Sequence, residues 1–379
     1  MAIALVTAAL IVVLSVFNGF ENLVKSLYND FYSDLKIIPA KGKILTVTTA
    51  QYHQLQSVDS VKFVEPIAEE KAILLNGDLR SIINLKGVDQ NYELASGLSS
   101  HIIRGHFEIG TEEQPTLILG GGVEDALGLI ADRNPYPVTI YMPNRKATNM
   151  SDPLTALQSH NAGTTGTFLI QQDFDNGYAF TNFQFMHGLL QLDSTQYTSV
   201  EVYLTNEKAT EQVQQKMQSI LGNNCKVLNR FQLNQNLYSA MQIEKVIIYG
   251  VAIMILIIAA FNIIGSLTML VLEKQKDIAV LQAMGASGKL VQKIFLKEGL
   301  LLAFLGGAAG IVLAFLICLG QQHFHWIKLG GQSFIIDYYP VNMRWSDFFF
   351  VALIIVFIGF LSAYIPSKKA VETFVSLKG

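Results

Sequence analysis

Val246 to Leu272 reads VIIYGVAIMILIIAAFNIIGSLTMLVL, and the residues that follow, Glu273 to Ser287, read EKQKDIAVLQAMGAS. The first stretch carries no Asp, Glu, Lys, Arg or His. As a helix rising about 1.5 Å per residue it exceeds the roughly 30 Å of a bilayer's hydrocarbon, so it reads as a membrane span. Asn262 and Ser266 within it are costly in lipid and are expected to face another helix or a cavity. The second stretch begins with charges and continues with Ile278, Leu281 and Met284 at helical spacing. Gly285 then suits a C-terminal cap at positive φ. This describes a short amphipathic helix at the membrane surface. An interfacial helix lying among headgroups has the same pattern, and residue spacing alone leaves that alternative open.

Three further apolar stretches flank this pair: Ala2 to Phe17, Gly299 to Leu319 and Phe348 to Ile365. The first is short and starts at Met1 without a basic flank or a small-residue cleavage site. It reads as a span whose N-terminal part is missing from this chain, not as a signal peptide. Lysine and arginine are retained on the cytoplasmic side of short loops. Lys274, Lys276, Lys289, Lys293 and Lys297 lie between the second and third spans, and Lys368, Lys369 and Lys378 follow the fourth. The loop from Gln321 to Asp347 has only Lys328 and Arg344. Both lysine-rich segments are therefore expected in the cytoplasm and the long loop after the first span outside.

The expected fold class is an α-helical membrane protein with four transmembrane helices and a large α+β periplasmic domain between the first and second. The expected boundaries are 1–20 for helix 1, 21–245 for the periplasmic domain, 246–272 for helix 2 and 273–297 for a cytoplasmic segment that holds the short amphipathic helix. Helix 3 follows at 298–320, a short periplasmic loop at 321–347, helix 4 at 348–366 and a cytoplasmic tail at 367–379. Within the large domain, Leu35-Lys36-Ile37-Ile38 and Ser199 to Leu204 each precede a helical stretch and a further strand. One α/β subdomain is expected from 21–95 and 196–240, and a β-rich subdomain from 96–195.

Half of the 379 residues are hydrophobic (51%) and only 15% charged, too apolar for an ordinary soluble protein. A net charge of −3 and no long basic run argue against nucleic acid as a partner. Cys225 in a polar stretch and Cys318 in an apolar one do not suggest a disulfide.

Several fragments imitate active sites. Gly120-Gly121-Gly122 lacks the Lys-Ser or Lys-Thr ending of a phosphate loop, and Gly285 to Leu290 has the wrong spacing for one. His323 and His325 have no third ligand nearby and suit an interfacial role beside Trp326. His101 and His106 show no Ser, Cys or carboxylate relay in the sequence. No catalytic or metal-binding residue is assigned. Gly306 and Gly310 form a Gly-x-x-x-Gly pair suited to close helix packing.

The segment Glu273 to Ser287 resembles the coupling segment of the ABC permeases that include lipoprotein-releasing LolC and LolE, the exporter MacB and the division protein FtsX. Leu14 to Glu21 (LSVFNGFE) is similar to a Ser-Val-Met-Asn-Gly-Phe-Glu signature of the lipoprotein-releasing branch. Tyr364 to Ala370 (YIPSKKA) is similar to its Tyr-Pro-Ala-x-x-Ala ending, and Ile118-Leu119-Gly120 with Ala126 to Leu129 is also like this group.

The resemblance implies a non-catalytic membrane subunit of a bacterial inner-membrane ABC transporter that extracts lipoproteins. ATP and Mg would be bound by a partner ATPase, with no cofactor in this chain. Further implied partners are a second permease copy or related permease, an acylated lipoprotein and a periplasmic lipoprotein carrier. ATPase coupling would fall to Glu273, Lys274, Lys276, Asp277, Ile278, Leu281, Met284 and Gly285, the apolar ones seated in a groove. Acyl chains would enter a cavity lined by Val12, Ser15, Phe17, Phe20, Ile253, Ile257, Phe261 and Ile264. A carrier-binding hook would lie in Met142 to Thr164 with Pro143, Met150, Pro153, Leu154 and Leu157 projecting; a plain surface loop is its alternative. A MacB-like mechanical exporter or an FtsX-like signal transmitter is the alternative use of the same scaffold.

Overall fold

The computed structural model describes residues 1–144, 157–329 and 338–375. Its helices of seven or more residues are α1 (Ala2–Phe31), α2 (Thr49–Gln56), α3 (Gly121–Leu127), α4 (Phe183–Leu189) and α5 (Thr210–Leu221), then α6 (Gln235–Glu273), α7 (Gln275–Ala283), α8 (Gly288–Phe324) and α9 (Trp345–Val375). The strands are β1 (Leu35–Pro39), β2 (Leu45–Thr46), β3 (Val61–Asn76), β4 (Leu79–Val88), β5 (Ile102–Gly105) and β6 (Thr116–Gly120). They continue with β7 (Val138–Pro143), β8 (Leu157–Phe168), β9 (Tyr178–Asn182), β10 (Gln196–Tyr197), β11 (Ser199–Leu204) and β12 (Cys225–Asn229). The chain forms two compact units. One holds Met1–Val24 with most of the chain from Ser239 onward, and the other holds Lys25–Tyr238.

In the first unit, α1, α6, α8 and α9 are long and apolar enough to cross a membrane. Their shared core gathers Ile11 and Leu14 of α1, Leu256 of α6, Ala314 of α8 and Val351 and Ile355 of α9. The outer faces remain apolar: Phe261, Leu305, Leu316 and Phe357 are all exposed. Helices that are apolar all round suit lipid, not water. Small residues set the helix spacing. A side chain at Gly310 would meet the backbone oxygen of Ala4 and the Thr7 side chain, and one at Gly306 would meet Ile3. The Gly-x-x-x-Gly pair thus seats α1 directly on α8.

Apolar length alone understates these helices. α1 runs to Phe31 instead of ending at residue 20, α6 begins at Gln235 and α8 at Gly288. Hydropathy marks the part suited to hydrocarbon, whereas a helix continues through polar residues until its backbone is capped or diverted. Asn262 and Ser266 do not face a neighbouring helix of this chain. Both are exposed, and Asn262 Nδ2 donates to the Ile258 carbonyl one turn back.

In the second unit, β12, β1, β11 and the first half of β3 pair antiparallel in that order. With α2 and α5 this is a β-α-β-β-α-β arrangement built from both ends of the segment. The helices cover one face, where Leu35, Ile37, Val200, Val202, Val213 and Met217 are buried together. Cys225 is buried in the same core, and both cysteines are free thiols.

β3 is 16 residues long, and its second half leaves the first sheet to pair with β4. From there β9, β6, β8 and β7 follow, and β7 pairs back onto β3, so the pairings close a ring around a second apolar core. The hairpin of β3 and β4 belongs to this ring, which places the change of subdomain inside β3 and not at residue 95.

Candidate functional site

The helix α6 stops at Glu273 because the backbone of Lys274 turns out of helical geometry (φ −90°, ψ 10°), and α7 starts at once from Gln275. The Lys274 ammonium pairs with Asp277 at 3.2 Å across the first turn, as i,i+3 neighbours do. At the other end, Gly285 sits at φ +96°, where a side chain is strained. Its N–H donates to the Gln282 carbonyl and that of Ala286 to the Leu281 carbonyl, a Schellman-type cap that ends α7. Ser287 then opens α8.

The three apolar side chains that share helical spacing have different fates. Ile278 is 3% exposed and packs on Val291 and Phe295 of α8, beside Leu270 and Val271 of α6. It fixes α7 to its own unit and is not available to a groove elsewhere, which corrects the expectation that it docks with the other two. Leu281 and Met284 are 41% and 80% exposed, and Val280 at 59% joins them. Glu273, Lys274, Lys276 and Asp277 are all exposed beside them. An apolar patch rimmed by both signs of charge, on a short helix held by its own buried anchor, is suited to docking on another protein. Val280 escaped the sequence reading because it lies off the three-residue row.

At the opposite end of the helical unit, the Asn18 to Glu21 motif is engaged within the chain. Asn18, 3% exposed, donates from Nδ2 to Asp347 at 2.6 Å. A side chain on Gly19 would overlap the carbonyl of Pro340. Phe20 meets Tyr339 edge to face, and Glu21 pairs with Arg344 at 3.4 Å. This motif therefore locks α1 to the segment leading into α9.

The residues assigned to an acyl-chain cavity divide. Ile253, Ile257 and Phe261 are exposed on one side of α6, and Ile264 is half-buried. Val12, Phe17 and Phe20 are half-buried, but Ser15 is buried inside the helical core and does not offer surface. Of the hook residues, Pro143 ends β7 and Leu157 begins β8. Both are exposed and they are register partners, so the sheet brings the two ends of that stretch side by side. Met150, Pro153 and Leu154 lie outside the described residues.

The fragments that imitate active sites are filled by the chain itself. Gly120 and Gly122 are approached by the Asp175 backbone and the Asn176 side chain. His101 and His106, for which the sequence showed no carboxylate, meet Asp30 at 3.0 Å and Glu108 at 2.8 Å. The Asp30 contact spans 71 residues and has no local signal. Trp326 stacks on Phe324, and its ring also lies against Gly320. Among the described residues no three His, Cys, Asp or Glu side chains group to hold a metal.

No local pattern in the sequence marks the buried charges of the second unit. Lys86 lies 2.7 and 2.9 Å from the two oxygens of Glu201 and donates to the Tyr92 hydroxyl, with both charged side chains almost fully buried. Lys36 adds a longer contact to Glu201 at 3.6 Å and bridges to Glu69 at 3.3 Å. Burial alone would raise the Glu201 carboxyl. Lys86 and Lys36 overcome it and hold the pKa below its usual value.

Residues 249–373 match the model of the FtsX-like permease C-terminal family. Over 98% of its length the chain is 27% identical to LolC, a lipoprotein-releasing system transmembrane protein of Neisseria meningitidis, covering 90% of that protein. Over the same shares it is 23% identical to LolE of Haemophilus influenzae. The periplasmic region of MacB from Actinobacillus actinomycetemcomitans aligns with 57% of this chain and 98% of that one, at 14% identity and a TM-score of 0.39. The family match falls on α6 to α9 and includes α7, and the likeness to LolC and LolE runs nearly end to end: residues 249–373 form an FtsX-like permease C-terminal domain, and the chain as a whole is similar to lipoprotein-releasing permease subunits of the LolC/LolE type.

Proposed function

We propose that this chain is the membrane subunit of a transporter that withdraws lipoproteins from the bacterial inner membrane and passes them to a periplasmic carrier, driven by a separate ATPase. The observation that carries the coupling role is the exposed patch of Val280, Leu281 and Met284 on α7, held in place by buried Ile278. The charges around it steer docking more than they add affinity. ATP and Mg belong to the partner in this reading, and this chain transmits force.

In this reading the four long apolar helices each cross the membrane, and retention of Lys274, Lys276 and the lysines of early α8 in the cytoplasm would leave Lys25–Tyr238 in the periplasm. The cargo assignment draws on end-to-end similarity to proteins named for lipoprotein release. The exposed apolar side of α6, with Ile253, Ile257 and Phe261, offers acyl chains a surface in place of lipid. Each methylene moved out of lipid costs about 0.8 kcal/mol unless such contact replaces it. A second permease completes the cavity, and the stretch from Met142 to Thr164 receives the carrier.

A photo-crosslinking residue at Phe261 tests the cargo. In membranes containing a triacylated lipoprotein, it is expected to crosslink to that lipoprotein and not to the same protein lacking its acyl chains. Equal crosslinking to both, or to neither, would remove the cargo assignment while leaving the permease assignment intact.

A further inference from the structure

Glu65 and Glu201 stand directly opposite one another on β3 and β11, and both are buried, at 3% and 1% exposed. Two carboxylates in that register repel. Glu201 is neutralised by Lys86 and Lys36. Glu65 receives nothing comparable: among the described residues no hydrogen-bond donor or cation is within bonding distance of its carboxylate. A buried carboxylate without a partner calls for a physical explanation.

The surroundings of Glu65 supply one. It lines a cavity of about 300 Å³ between Tyr52 and Gln56 of α2, the open edge of β3 from Val61 to Pro66, and Asp89 and Asn91 just beyond β4. The lining is mainly polar and combines two carboxylates, the side-chain amides of Gln56 and Asn91 and the rings of Tyr52 and Phe63. Lys62 also lines it, but its ammonium lies over the Phe63 ring at 5.2 Å. Carboxylates with aromatic faces are complementary to an organic cation, which pairs with the former and is attracted by the quadrupole of the latter. With two carboxylates and no third, the set is poor for Ca²⁺, which takes six to eight oxygens.

We propose that this cavity binds a single guanidinium or primary ammonium group, with Glu65 as its buried counter-ion and Asp89 at the mouth. The group is carried by a free amine or by an arginine or lysine side chain of a protein docking along the β3 edge. The ionisation of Glu65 agrees with this assignment. Burial first, then the charges of Asp89 and Glu201, push its pKa up to about 7. Tyr52 faces it from α2 with its own phenol raised, chiefly by burial, and so adds no charge. An entering cation therefore ionises Glu65 and releases a proton.

The test is calorimetric titration of the full-length protein in detergent micelles with methylguanidinium chloride at pH 7, in two buffers of different ionisation enthalpy. The proposal expects saturable one-to-one binding with proton release, weakened at least tenfold by Glu65→Gln. Asp89→Asn, at the half-buried mouth, is expected to weaken it severalfold, a second readout should Glu65→Gln fail to fold. Repeating the titration with an arginine-containing hexapeptide and with its citrulline counterpart separates the sources: tighter binding of the arginine peptide than of methylguanidinium assigns a protein side chain, and equal binding a free amine. Absence of methylguanidinium binding, binding unaffected by both variants, or binding of CaCl₂ in its place overturns the proposal.

Discussion

The Asn18 amide lies 2.6 Å from Oδ2 of Asp347, 329 residues away in the chain, and joins the middle of α1 to the start of α9. Beside this bond, Gly19 admits the Pro340 carbonyl where any side chain would overlap it. Gly19→Ala is therefore expected to cost about 1–3 kcal/mol through overpacking. Gly250, in α6 with open space around it, is the control: Gly250→Ala is expected to leave stability unchanged or slightly raised. Thermal unfolding of the two variants in the same micelles checks the contrast.

Ile278 and Leu281 lie on the same short helix with opposite duties. Removing the buried side chain by Ile278→Ala leaves a cavity against Val291 and Phe295 and is expected to cost about 2–4 kcal/mol. Leu281→Ala, at an exposed position, is expected to stay within about 0.5 kcal/mol of wild type. Proteolysis within Glu273 to Ser287 reads the difference, being faster only in the Ile278 variant.

The buried pair of Lys86 and Glu201 predicts strong non-additivity. Lys86→Met leaves the Glu201 carboxylate with Lys36 at 3.6 Å as its remaining ammonium and is expected to destabilise by about 3–5 kcal/mol. Adding Glu201→Met removes the stranded charge and is expected to restore most of that loss. A double-mutant cycle by urea unfolding measures the coupling.

Glu65 predicts a pH dependence of definite sign. Its pKa is raised from 4.5 to about 7, so its contribution to stability is fully present below pH 4.5 and is lost as pH rises through 7. A displacement of that size corresponds to roughly 3 kcal/mol. Wild type is expected to lose this amount relative to Glu65→Gln between pH 4.5 and pH 8. Asp175, raised to about 6 chiefly by burial, acts in the same direction but cancels in the comparison. Unfolding midpoints of the pair across that range provide the check.

The existence of the long helices was legible in the sequence because apolar length is a local property. Their ends were not, since Asn22 to Asp30 continue α1 without being apolar. Around α7 the spacing identified which residues are apolar but not what each one touches: Ile278 is taken by the chain's own α8, while Val280 joins the exposed patch from off the row. The contacts of Asn18 with Asp347 and of Lys86 with Glu201 span 329 and 115 residues and leave no periodic trace. Glu65 was hidden for the same reason, because its lack of a partner appears only once β3 and β11 are in register.

Docking of an ATPase on the exposed patch of α7 is read from the ATP hydrolysis that accompanies the affinity-purified permease when it is expressed from its own genetic background. Wild type is expected to bring an ABC ATPase with it, and Leu281→Glu with Met284→Glu is expected to lose at least nine-tenths of that activity while the permease's own unfolding temperature is unchanged. Undiminished ATPase association with the double variant, or none with wild type, would contradict this docking.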